Sequence, residues 1–173
     1  MKFSILFVSL ASAIYSANCF SDEFKGLYIG GGFFGASASD CEYSGCNYSG
    51  EYLEVGYDIN KIVSVELKYG SGESSYNYGD ADLKIDFFGI NAGGGFGLSW
   101  FKLYGKAGLG RISESESLQY ASYKETAPTA GIGAQFQISG EQRGLYVKLE
   151  AFAVRFQDDT TGAAYAAGLG YRF

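Results

Sequence analysis

The last eleven residues, 163–173, restrict the fold more than any other stretch. Tyr165, Ala167, Leu169, Tyr171 and Phe173 fall on one face of an extended strand, and Ala164, Ala166, Gly168, Gly170 and Arg172 on the other, because strand side chains alternate with period two. About ten residues of such alternation match the length and pattern of a strand crossing a membrane within a barrel. The chain has no run of eighteen apolar residues, so no helix is expected to span a bilayer. A membrane-spanning form is therefore a closed barrel, since hydrocarbon cannot satisfy open strand edges.

This terminal motif resembles the eight-stranded outer-membrane β-barrel family, the OmpA and OmpX type, whose members end in Phe with apolar residues at alternate positions before it. The match is specific over the motif and extends to the rest of the chain by pattern. It implies that Tyr165, Leu169, Tyr171 and Phe173 form a signal read by the barrel assembly machinery. It also implies residence in the Gram-negative outer membrane, a surround of outer-membrane lipid, and a monomer.

The composition fits a strand-rich chain. Gly numbers 26, Pro only 1, aromatics 17% and charged residues 18%, the last below the ~25% of ordinary soluble domains. Lys2, the apolar run 3–10 and the small residues that follow read as a secretory signal. Cleavage is expected after Ser21, with cuts after Ala13 or Cys19 also compatible, leaving residues 22–173 as the barrel domain. Asn18 makes a lipidated Cys19 the weaker reading. Removing residues 1–21 takes away Lys2 and no acid, so the net charge moves from -6 to -7; that acidity argues against nucleic acid as a partner. Cys41 and Cys46 then remain as an even pair in an exported chain and read as a disulfide. A metal centre is not expected, because there is no His and no second Cys pair.

Alternation predicts eight strands: Gly26 to Gly35, Gly50 to Tyr57, Ile62 to Ser71, Leu83 to Gly95, Phe101 to Ile112, Tyr123 to Ile138, Gly144 to Phe156, and the terminal one. Connections after the first, third and fifth strands are long and polar; those after the second, fourth and sixth are short, the first of them the turn Asp58 to Lys61. Long outer loops alternating with short periplasmic turns are the asymmetry of an outer-membrane barrel. In the fourth strand Leu83, Ile85 and Phe87 alternate with Lys84, Asp86 and Phe88, then the pattern blurs at Ile90. A bulge near Gly89 is expected there, since one extra residue reverses every later side chain.

The expected architecture is thus an all-β, eight-stranded antiparallel up-and-down transmembrane barrel. A soluble calyx is the alternative with the same alternation. Against it, the polar face is half Gly and small residues, whereas a water-facing exterior would be crowded with Lys and Glu. With the apolar face outward, Glu54, Glu66, Asp86 and Glu150 point inward with Lys68, Lys84, Lys102, Lys106, Lys148 and Arg172. Such charges pair, because a buried lone charge costs several kcal/mol. Eight strands leave an interior that side chains fill.

No catalytic or cofactor-binding residues are expected. Small outer-membrane barrels that are enzymes rely on His, and this chain has none. The runs Gly30 to Gly32 and Gly93 to Gly95 lack the helix and Lys of a phosphate loop. The first functional reading is a non-enzymatic structural or surface-interaction protein, with Cys41, Tyr43, Cys46, Tyr48, Tyr76, Tyr78, Glu114 and Glu116 as loop residues available to cell-surface or host ligands. The second is a narrow channel or a barrel that binds a small molecule or lipid.

Overall fold

The computed structural model describes residues 25–38, 46–60, 62–74, 83–98, 100–116, 122–138, 143–155 and 161–173. The expected signal segment, Cys41, Tyr43, Tyr76 and Tyr78 lie outside these residues. So do the side chains of Cys46, Lys84, Glu114 and Glu116, and with them the expected disulfide.

Eight antiparallel strands form one closed barrel: β1 (Gly26–Ala38), β2 (Cys46–Asp58), β3 (Val63–Ser74), β4 (Leu83–Leu98), β5 (Phe101–Glu116), β6 (Ser122–Gln137), β7 (Gly144–Arg155) and β8 (Thr161–Arg172). Each strand pairs with its sequence neighbours, and β1 closes the ring on β8 from Tyr28↔Arg172 to Ala38↔Gly162. Beyond β8, the Phe173 N–H donates to the Leu27 carbonyl at 3.0 Å. The turn after β2 is stapled by the Asn60 side chain, whose Oδ1 accepts from the backbone N–H of Ile62 and of Val63, both at 2.8 Å; this is the local chemistry that makes Asn a turn residue.

The two faces are inverted relative to a water-soluble protein. Leu53 is 68% exposed, Ile132 69% and Phe33 69%, whereas Glu54 is 5% exposed and Lys68 and Lys148 each 3%. An apolar exterior over a charged interior is stable only with hydrocarbon outside. Aromatic pairs gird the end that bears Phe173: Trp100 lies 5.6 Å from Phe101, Phe101 4.9 Å from Phe136, and Tyr171 5.0 Å from Phe173.

The structure departs from the expected pattern at the strand ends and in β4. Several strands run past their predicted ends: β4 and β5 each have 16 residues, where 9–11 tilted residues suffice to cross. Ala36 to Ala38, Cys46 to Ser49, Gly72 to Ser74 and Ser113 to Glu116, read as loop, belong to the sheet. Polar composition does not separate a loop from a solvated strand, because the ladder continues wherever backbone partners are present. Second, β4 has no bulge. Its register against β3 and β5 is unbroken from Glu73↔Lys84 to Val63↔Gly94 and from Leu83↔Glu116 to Leu98↔Phe101. Its inward positions are therefore Phe87, Gly89 and Asn91, while Phe88 and Ile90 face out. Asp86 also faces out, where the Tyr69 hydroxyl donates to it at 3.2 Å; it is not part of the interior.

Pro128, lacking an N–H, sits on the outward face of β6 beside the end of the β6–β7 ladder, which runs only from Thr129↔Val154 to Gln137↔Tyr146.

Candidate functional site

The interior is built in three layers. In the middle one, Glu54 (β2), Glu66 and Lys68 (β3), Lys106 (β5), and Lys148 and Glu150 (β7) meet across the lumen. Lys148 Nζ lies 2.9 Å from Glu54, 2.5 Å from Glu66 and 3.1 Å from Glu150. Lys106 Nζ is 3.0 Å from Glu66 and 2.8 Å from Glu150. Lys68 Nζ is 3.1 Å from Glu54 and 3.8 Å from Glu66, and it also bonds Glu150. Three carboxylates thus share three ammonium groups, and the hexad is neutral. Oxygen atoms of Glu54, Glu66 and Glu150 lie within 4.8 Å of one another, a spacing that a cation can bridge; the cations placed among them are the three lysines.

Four tyrosines wall this layer. Tyr104 donates to Glu150 at 2.7 Å, Tyr146 to Glu54 at 3.3 Å and Tyr28 to Glu66 at 3.4 Å, while Lys68 Nζ stands 4.3 Å from the centre of the Tyr52 ring. Each ring lies opposite glycine in the adjacent strand: Tyr28↔Gly56, Tyr104↔Gly133, Tyr146↔Gly170, and Tyr52 between Gly32 and Gly70. A Cβ on Gly56, Gly133 or Gly170 would overlap the ring of Tyr28, Tyr104 or Tyr146. Gly56, Gly133 and Gly170 are therefore the seats of inward tyrosines, and glycine is required there by close approach rather than by backbone angle.

Toward the end bearing Phe173, Asp58 holds Lys102 at 2.8 Å and Arg172 at 2.7 Å, and Arg172 also reaches Gln135 at 3.4 Å. The sequence places Asp58 in the turn, yet it continues β2 on the same parity as Glu54 and is 1% exposed; carrying the alternation one step past Tyr57 finds it.

Toward the opposite end the described residues include an apolar plug. Tyr48, Ile112 and Ala127 form a cluster against which Phe34, Ala36, Phe87 and Phe152 pack, with the Phe87 and Phe152 rings 5.8 Å apart. Tyr48, expected as a loop contact at the surface, is instead a buried member of this plug, because its parity in β2 turns it inward. Between the layers, two cavities leave about 10 Å³ each for the centre of a water molecule, room for about one water.

Of the residues expected inside, Glu54, Glu66, Lys68, Lys102, Lys106, Lys148, Glu150 and Arg172 are brought together here. Tyr165, Leu169, Tyr171 and Phe173 share the outward face of β8, 71%, 60%, 43% and 52% exposed.

An inverted, closed and charge-filled eight-stranded barrel is one kind of molecule, and residues 3–173 match the family model described as the outer membrane protein beta-barrel domain. The chain belongs to that family. It is an outer-membrane β-barrel of Gram-negative bacteria. No curated protein matches the sequence. Among solved structures, it is similar to Ail, the attachment invasion locus protein of Yersinia pestis, in complex with the heparin analogue sucrose octasulfate (21% identity, 86% of this chain and 99% of that one, TM-score 0.66). Neisserial surface protein A is similar at 18% identity over 85% and 97% of the two chains, TM-score 0.65. OprG of Pseudomonas aeruginosa is similar at 17% identity over 86% and 96%, TM-score 0.61. At such identities these structures share the fold.

Proposed function

We propose that this family member is a non-conducting, non-enzymatic barrel whose role is structural and surface-directed, exercised through the connections after β1, β3, β5 and β7. The observation that carries the reading is the three-layer filling of the lumen: a neutral hexad, the Asp58 cluster and the aromatic plug leave space for about one water in each gap. A solute path would have to dismantle charge pairs, and breaking a buried pair costs ~3–5 kcal/mol.

The partner chemistry follows from the connections. Segments 39–45, 75–82, 117–121 and 156–160 carry Asp40, Glu42, Asp80, Asp82, Asp158 and Asp159 and no Lys or Arg. These acids favour a neutral or cationic surface and work against a polyanion such as the sulfated ligand of the Ail complex.

Planar-bilayer recording of the refolded protein tests the filled lumen: silence is expected, and large stable single-channel currents overturn it in favour of a narrow channel. For the surface role, cells displaying the barrel are compared with cells whose segments 39–45 and 75–82 are replaced by Gly-Ser. Equal attachment to host cells by both rejects the loop reading.

A further inference from the structure

The lipid-facing surface is asymmetric in two independent respects. Its steric relief differs around the ring: β1 to β3 present Ile29, Phe33, Leu53, Val55, Leu67 and Tyr69, whereas β4 to β8 carry a shallow, open outward groove of about 810 Å³ floored by Gly94, Gly105, Ala107, Ala130, Ala151 and Ala153 beside Ile132. A second groove of about 660 Å³ continues it past Ile132 toward Leu103 and Leu149. Its charge also differs around the ring, with the change of sign falling between β4 and β5. At the polar border, away from the aromatic girdle, the exposed acids Glu51, Glu73 and Asp86 stand on β2, β3 and β4, and the exposed bases Arg111 and Lys124 on β5 and β6.

The basic pair lies directly above the groove. Arg111 is four residues beyond Ala107 on the outward face of β5, about 13 Å at ~3.3 Å per residue, with Leu109 between them 60% exposed. Arg111 lies opposite Thr126, and Lys124 opposite Ser113, so the two bases are diagonal neighbours. Asp86 on β4 is the diagonal neighbour of Arg111 on the other side, opposite Ser113, and its carboxylate accepts from the Tyr69 hydroxyl at 3.2 Å.

We propose that the groove seats an acyl chain of an anionic, phosphate-bearing lipid of the outer leaflet, with Arg111 and Lys124 holding its headgroup phosphate. In hydrocarbon there is no hydrophobic force to favour one apolar surface over another, so van der Waals fit decides. A floor of Gly and Ala admits a chain against the backbone; the ridged side does not. Bases at the headgroup level attract anionic lipid, and Arg binds phosphate through two parallel N–H donors. A second copy of the chain is the other occupant such a groove admits. A two-fold contact across it brings Arg111 and Lys124 near their own copies, like charge facing like, which favours lipid.

The test uses the full barrel in nanodiscs holding equal phosphatidylcholine and phosphatidylglycerol, with native mass spectrometry reading the lipids retained per barrel. The wild type is expected to retain phosphatidylglycerol about tenfold over phosphatidylcholine. Arg111→Gln with Lys124→Gln brings that ratio near one, Ala107→Leu with Ala130→Leu lowers retention of both lipids, and Glu51→Gln changes neither. Folding of each variant is checked by its heat-dependent gel mobility, and Arg111→Gln alone, a change at an exposed site, keeps the test open if a double variant fails to fold. Equal retention of the two lipids by the wild type overturns the proposal, as does a ratio that survives loss of both bases. A dimer that Ala107→Leu with Ala130→Leu abolishes overturns it in favour of the second copy.

Discussion

Replacing Lys148 with Met removes the ammonium group that touches Glu54, Glu66 and Glu150 at 2.9, 2.5 and 3.1 Å. Methionine is close to lysine in volume, so little of the effect arises from packing. Lys68 and Lys106 then face three carboxylates that are almost fully buried, leaving one negative charge without a counterpart. Removing one partner of a buried pair costs ~3–5 kcal/mol. The Tyr104 and Tyr146 hydroxyls still donate to Glu150 and Glu54, which places the expected loss near the lower bound, about 3 kcal/mol. Urea unfolding in detergent micelles, followed by fluorescence of the sole tryptophan, Trp100, measures it. Adding Glu66→Gln to Lys148→Met restores neutrality, and about half of the loss is expected to return; the non-additivity isolates the pair. A Lys148→Met barrel within about 0.5 kcal/mol of wild type, the range of ordinary surface substitutions, refutes the idea that the hexad is a coupled unit.

Asp86→Asn serves as the counterpart outside: with Asp86 on the outer face beside Tyr69, unfolding is expected to shift by no more than about 0.5 kcal/mol, and a loss comparable to that of Lys148→Met would return Asp86 to the interior. Gly133→Val drives a side chain into the ring of Tyr104 and is expected to cost about 1–3 kcal/mol by overpacking; pairing it with Tyr104→Ala should recover part of this in the same unfolding assay, and no recovery would deny that the glycine seats the ring. Phe173→Ser is expected to reduce the amount of folded protein in outer-membrane fractions well below that of a Tyr76→Ser control, because it alters the terminal motif and breaks the ring contact with Tyr171 at 5.0 Å. Equal levels of the two variants would remove Phe173 from the assembly signal.

Period two in the sequence was enough to specify strands, their number, their order and, for seven of the eight, which face meets lipid. The reason is that lipid penalises a polar outward side chain at every alternate position, so the rule is written along each strand separately. Where the alternation is weak it misled: Phe87, Phe88 and Ile90 satisfy either parity, and only pairing with β3 and β5 at unbroken register fixed Asp86 outside and Phe87 inside. Strand ends were misjudged for a related reason, since beyond the hydrocarbon water accepts polar residues in strand and loop alike. The sequence also offered ten candidate interior charges without saying which would meet. Glu54 and Lys148 are 94 residues apart, and Lys106 and Glu150 are 44 apart; no local pattern relates them. Closure of the barrel, its register and its narrow lumen decide those pairs, as they decide that Asp58 turns in to Lys102 and Arg172, and that Tyr28, Tyr52, Tyr104 and Tyr146 each find a glycine beside them.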